Sequence, residues 1–195
     1  MSNSWGNIDV APHGHTLSYA PTVSLKGNTY FVAIGSKIGE EVMGIKYCLL
    51  CFDFTSEKFG PHLPLPSHGD RVAISSVREE QLAVLYEPRD TSKMEIWVTT
   101  KIEPNAVSWS YFLKVDVTDF KFHAMVRSFF IDQEKTLAVF FMDDYKNMFT
   151  SKCIAAFIGE NGYLRKVYLG QALKLKDGPY AHPLVYSYVP SLVQP

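Results

Sequence analysis

Leu82-Ala83-Val84-Leu85-Tyr86 is the stretch whose reading decides the fold: five apolar residues that directly follow the polar step Arg78-Glu79-Glu80-Gln81. A run this short, rich in β-branched and aromatic residues and bounded by a turn, has the length of a strand rather than a helix. It recurs. Tyr30-Phe31-Val32-Ala33-Ile34 starts 52 residues earlier, and Leu137-Ala138-Val139-Phe140-Phe141 starts 55 residues later. Each copy is preceded by a shorter apolar run and a polar turn: Val23-Ser24-Leu25 before Lys26-Gly27-Asn28, Val72 to Val77 before Arg78-Glu79-Glu80, and Phe129-Phe130-Ile131 before Asp132 to Lys135. Such pairs predict β-hairpins.

A third run follows each hairpin: Tyr47 to Phe54 (YCLLCFDF), Met94 to Val98, and Cys153 to Phe157. A fourth follows at Phe59 to Leu65, Trp109 to Val117, and Tyr163 to Leu169. Four short antiparallel strands recurring at roughly 50 residues are the signature of propeller blades. The alternative is a β-sandwich with evenly spaced strands. The predicted fold is therefore all-β, a single domain over 1–195 with four-stranded repeats at roughly 22–65, 71–117 and 126–170. Ser4 to Val10 echoes the fourth-strand pattern of Ser108-Trp109 and Leu113-Lys114-Val115, and Tyr186 to Val193 is one more apolar run, broken by Pro190. Three blades plus two stray strands fall short of a closed ring, so the expectation is an incomplete propeller, a truncated product with exposed edges and poor solubility.

The totals narrow the function. The chain has 195 residues, enough for one core, with 14% aromatic content and a formal net charge of −1. Its Lys and Arg are scattered, so no basic stripe argues for nucleic acid, and no apolar run has the length of a membrane span. The start, MSNSWGNIDVAP, lacks the basic and apolar regions of a secretory signal. Three cysteines and no N-x-S/T acceptor suit a reducing interior, so the cytoplasm or nucleus is the expected location.

Cys48 and Cys51 form a C-x-x-C pair. On a strand, residues three apart point to opposite faces, whereas a zinc or redox site needs both sulfurs on one side. Leu49-Leu50 is no turn, and no second C-x-x-C supplies further ligands, so the pair reads as structural thiols. His13 and His15 stand as H-x-H, with His62, His68, His123 and His182 dispersed, and none has an acidic partner at ligand spacing. Asp143-Asp144, followed by Tyr145-Lys146-Asn147, reads as a turn. G-x-S-x-G, Walker, G-x-G-x-x-G and H-E-x-x-H motifs do not occur, so no catalytic, metal or cofactor site is predicted.

In a propeller, the loops between second and third strands and the blade connections open on one face. Here they are Gly35 to Lys46, Glu87 to Lys93 and Met142 to Ser151, with connections near Pro66 to Asp70 and Thr118 to Ala124. They carry Ile38, Met43, Arg89, Phe122, Tyr145, Met148 and Phe149, residue types enriched where proteins meet proteins. These seven are the candidate partner-binding residues.

Several stretches resemble the plant F-box-associated interaction domain. They are Leu25 to Phe31 (LKGNTYF), Leu50 to Pro61, Val77 to Tyr86 (VREEQLAVLY), Glu95 to Glu103 (EIWVTTKIE) with Val107 to Ser110, and Tyr186 to Val193. The resemblance covers nearly the whole chain. It implies a kelch-like propeller and a substrate-recruiting role in SCF-type (Skp–cullin–F-box) ubiquitin ligases. It also implies an F-box, a helical motif led by Leu-Pro, ahead of the domain. No such segment precedes the strands here, so the chain is expected to hold a target protein but not to dock on the ligase adaptor by itself. Two other readings stand beside this one. One is a competitor that binds the partners of a longer relative; the other is a small-molecule enzyme on a propeller arc using Asp70, Asp143 and Asp144.

Overall fold

A computed structural model of the chain describes residues 15–17, 22–35, 46–66, 71–87, 93–116, 125–147, 150–160, 163–171, 173–174 and 180–181. Sheet one holds β1 (His15–Leu17), β2 (Val23–Leu25), β3 (Asn28–Gly35), β4 (Lys46–Asp53) and β5 (Lys58–Phe59). Sheet two is the meander β6 (Arg71–Val77), β7 (Gln81–Glu87), β8 (Lys93–Glu103) and β9 (Ala106–Asp116). Sheet three repeats it with β10 (Met125–Asp132), β11 (Leu137–Asn147), β12 (Thr150–Gly159) and β13 (Leu164–Gln171). A small hairpin joins β14 (Leu173–Lys174) to β15 (Tyr180–Ala181). Every described pairing is antiparallel.

The hairpin turns set the register. Lys26 and Gly27 both take positive φ (52° and 74°), as do Arg78 and Glu79 (49° and 58°). Two consecutive left-handed residues make the primed turn whose twist matches its strands. In the second hairpin the Glu80 amide closes the turn onto the Val77 carbonyl at 3.1 Å.

Alternation along the strands then builds two cores. Val72, Ile74, Leu82, Val84 and Tyr86 of sheet two pack with Val23, Leu25, Tyr30, Val32, Leu49, Cys51 and Leu63 of sheet one. Ala73, Val77, Ala83, Leu85, Ile96 and Leu113 leave the other face of sheet two and meet Phe129, Ala138, Phe140, Met142 and Ala156 of sheet three. Sheet two is thus covered on both sides. That is why Leu82 to Tyr86 is continuously apolar instead of alternating. β6, the first strand of its sheet, lies against both β2 and β10. Sheets stacked face to face about their first strands are blades of a propeller, and among the described residues they do not close a ring.

Local chemistry holds the blades in place. The β7–β8 ladder starts at Ala83 and Val98, because an extra residue, Thr100, bulges β8 against β9. The fully buried Thr99 hydroxyl stands in for the missing ladder acceptor, taking the Leu82 amide proton at 2.9 Å, while Gln81 Nε2 donates to the Thr99 carbonyl at 2.6 Å. Thr99→Val keeps the shape but strands the buried Leu82 N–H, so it should cost about 1–3 kcal/mol. Urea unfolding should show a lower midpoint with an unchanged slope.

Two sequence expectations need correction. β11 runs on to Asn147, so Asp143, Asp144, Tyr145 and Asn147 are strand residues paired with Cys153, Lys152, Ser151 and Thr150, not a turn. The fourth strand of sheet one is only Lys58–Phe59 plus a single bridge between Leu63 and Leu49. Pro61, Pro64 and Pro66 lack the N–H that a longer ladder needs. On the other edge of this sheet β1 pairs the far half of β3 while β2 pairs the near half, so that edge is built from two collinear pieces. The runs at 4–10 and 186–193 lie outside the described residues.

Candidate interaction surface

Contacts between turns fix which strand ends share a rim. Arg78 Nη2, in the β6–β7 turn, meets Glu134 Oε1 of the β10–β11 turn at 2.6 Å, and Gln133 Nε2 donates to Gln81 Oε1 at 3.3 Å. These turns lie together on one rim. The opposite rim therefore carries the strand ends Glu87 and Lys93 of sheet two and Asn147 and Thr150 of sheet three, with Gly35 and Lys46 at the matching ends in sheet one. Of the seven candidate partner-binding residues, Ile38, Met43, Arg89, Phe122, Met148 and Phe149 fall outside the described residues. Tyr145 lies in β11 with its backbone paired to Ser151, and its side chain is not described.

The described part of this rim is polar at its mouth and buried beneath. Arg71 and Glu87 are cross-strand partners, with Nη1 and Oε2 3.7 Å apart. The Glu87 side chain is 13% exposed against 55% for Arg71. Burial pushes the Glu87 carboxyl up to about 7, and Arg71 offsets only part of that. Residue composition gave no sign of it, since Glu87 reads as an ordinary loop boundary.

The consequence has a definite sign. Between the ordinary glutamate value of 4.5 and about 7 the folded chain keeps this proton while the unfolded chain has released it. Stability should therefore fall as pH rises through that window, by at most about 3 kcal/mol. Glu87→Gln should flatten the fall, which chemical unfolding at pH 5 and pH 7.5 would resolve.

Asp143 is 1% exposed and accepts a hydrogen bond from the Cys153 thiol at 3.7 Å, inside sheet three. A carboxylate closed off in this way does not present itself to a substrate. Among the described residues no group of three or more His, Cys, Asp or Glu could hold a metal ion.

No disulfide joins the cysteines. Cys51 points into the core shared with sheet two, opposite Tyr30 on β3, and burial raises both its thiol and the Tyr30 phenol above their usual ranges. Cys48, three residues back and half-buried, takes the other face of β4. A protonated, buried thiol is packing, not a ligand. Among the described residues no helix is long and apolar enough to cross a membrane.

Three stacked antiparallel blades whose strand ends share a rim define a β-propeller-type module. The family described as the F-box associated beta propeller domain matches residues 1–195, and the chain belongs to that family. Its curated relatives include the Arabidopsis thaliana proteins named Putative F-box protein At3g17620, 49% identical over 203 residues, and Putative F-box protein At1g67450, 50% identical over 197 residues. F-box protein At3g19470 from the same plant is 46% identical over 202 residues. Each alignment covers 99% of this chain but 50%, 46% and 50% of the respective relative, so the chain spans about half the length of the curated relatives it matches. No solved structure matches it.

Proposed function

We propose that this chain is a non-catalytic protein-interaction module that holds a target protein for an SCF-type ubiquitin ligase. Its place of action on this reading is the cytoplasm or nucleus. The observation that carries the reading is the match of an F-box-associated propeller family over the whole chain, with F-box proteins as relatives. The blade stack supports it physically: the strand ends Gly35, Lys46, Glu87, Lys93 and Asp116 share one rim, and the sequence that joins strands there, 36–45, 88–92 and 117–124, carries Met, Phe and Arg residues. Docking on the ligase adaptor is the task of an F-box, so this module supplies the target-holding half of the recruitment.

The test joins the chain to the F-box half of a relative and assembles it with adaptor and cullin. Proteins cross-linked to the chain alone should become ubiquitinated by the assembled ligase. Replacing 36–45 and 88–92 with Gly-Ser linkers of equal length should abolish both cross-linking and ubiquitination. If instead the chain turns over a member of a metabolite panel and Asp143→Ala removes that activity, the enzyme reading replaces this one.

A further inference from the structure

The outer edges of the three sheets are not treated alike. A sheet edge invites pairing with another chain, and proteins blunt it with prolines, bulges or charges. Sheet one ends in a two-residue strand followed by Pro61, Pro64 and Pro66. Sheet two ends in β9, where the extra residue Phe112 breaks the register with β8 and where Ser108, Ser110, Lys114 and Asp116 are exposed. Among the described residues sheet three ends in β13, which has no proline and pairs in register from Leu164 opposite Ile158 to Tyr168 opposite Ile154, before the extra residue Leu169 shifts it. Of the six exposed large hydrophobic residues described, four lie on or beside this strand: Tyr163 (54%), Leu164 (37%), Tyr168 (56%) and Leu169 (47%).

The backbone of β13 is oriented for addition. The Gly159 amide donates to the Tyr163 carbonyl at 3.1 Å, which makes that pair a hydrogen-bonded one. In an antiparallel ladder, bonded and non-bonded pairs alternate, so Arg165 and Val167 turn their backbone groups toward β12 while Leu164 and every second residue after it turn theirs outward. Leu164, Lys166 and Tyr168 share one side of the strand. The charge is one-sided as well. The described residues of the β12–β13 hairpin contribute Lys152, Arg165 and Lys166 against Glu160 alone, in a chain of net charge −1. Lys152 Nζ stands over the Tyr168 ring, 5.4 Å from its centre.

We propose that β13 is a strand-addition site for an extended target segment that alternates acidic with large apolar residues. The segment lies along Leu164 to Tyr168 as a fifth strand of sheet three. Its backbone bonds the outward groups, its apolar residues cover Leu164 and Tyr168, and its carboxylates, on the other face, meet Arg165. A second copy of this chain suits the edge poorly, because antiparallel pairing of the Leu164–Tyr168 stretches of two copies sets Lys166 directly opposite Lys166. The inference rests on the target-holding function proposed above and names the surface and the chemistry that would serve it.

Two fluorescein-labelled peptides test it on the full chain: one alternating Glu with Ile and Tyr, and a twin with Lys in place of Glu. In fluorescence anisotropy the acidic peptide should bind about tenfold more tightly than its twin and weaken as salt rises. Leu164→Pro removes an outward N–H that β12 does not use, and Tyr168→Ser removes the apolar anchor. Each should weaken the acidic peptide about tenfold or more, with circular dichroism showing the fold retained. Arg165→Glu should shift preference toward the Lys peptide. Equal binding of both peptides, or acidic binding untouched by Leu164→Pro and Tyr168→Ser, overturns the proposal. Self-association abolished by Leu164→Pro overturns it in favour of a second copy. Target cross-linking that survives these variants but is lost on loop replacement leaves the recruiting function standing while this edge site fails.

Discussion

Phe140→Ala should destabilise the fold by about 3–5 kcal/mol, the largest loss expected from any truncation in the second core. Phe140 is fully buried in the middle of β11, facing sheet two across a core that includes Leu85 and Ile96. Its neighbours leave it nowhere to relax. Phe129, its register partner on β10, stacks at 6.3 Å between ring centres and 25° between planes, and the small Ala156 faces it on β12. A side chain flanked by a second ring and an alanine leaves a cavity that neither neighbour can fill. Phe141, one residue on, supplies the control. It points to the opposite face, is only half-buried and tilts against Phe130 at 5.3 Å, so Phe141→Ala should cost roughly half as much or less. Urea unfolding of both variants checks the ranking. If Phe141→Ala proved the costlier, sheets two and three would not pack through the face described.

The blade repeat was legible because each sheet is made of local hairpins. Strand, turn and strand lie within a few residues, and Leu82 to Tyr86 announces burial on both faces through its unbroken apolar run. The turn at Arg78-Glu79 was visible as a polar step but not as a left-handed pair, since neither residue is the Gly or Asn that such φ values favour. Asp143-Asp144 misled for a physical reason. Two carboxylates in a row resemble a turn, yet Asp143 is accommodated in a strand by the Cys153 thiol on the neighbouring one. What joins one blade to the next left no local trace. Trp109 Nε1 donates to the Pro64 carbonyl at 2.9 Å across 45 residues, and Gln133 reaches Gln81 across 52. The candidate surface was readable only as loop composition, because an interface is a shape, and no spacing rule encodes the shape of a loop. The strand at Tyr163 to Leu169 was legible as a fourth strand, but not as the least guarded edge of the three sheets. Its exposure depends on which strand ends the sheet, a fact of topology that no run of residues states.

Gly60→Ala should destabilise the fold by about 2–3 kcal/mol, more than any ordinary glycine replacement outside a helix. A Cβ built at Gly60 falls 2.5 Å from the carbonyl oxygen of Pro104, a backbone atom in the β8–β9 turn of the neighbouring sheet. Neither side yields cheaply. The Gly60 amide is bonded to the Cys51 carbonyl at 2.8 Å, and a few residues on, Trp109 clamps the Pro64 carbonyl to sheet two. The added methyl must therefore push apart the two sheets that share the first core. Gly27→Ala is the comparison that isolates this effect. Gly27 has φ of +74° but nothing within 4 Å of its would-be Cβ, so it should cost only the left-handed penalty of about 1–2 kcal/mol. Releasing the clamp with Trp109→Phe should then soften the Gly60→Ala penalty, so that the double variant loses less than the two single losses combined. Strict additivity would show that the Gly60–Pro104 approach and the Trp109–Pro64 hydrogen bond do not share one constraint, and equal costs at Gly27 and Gly60 would show that the close approach is not there at all.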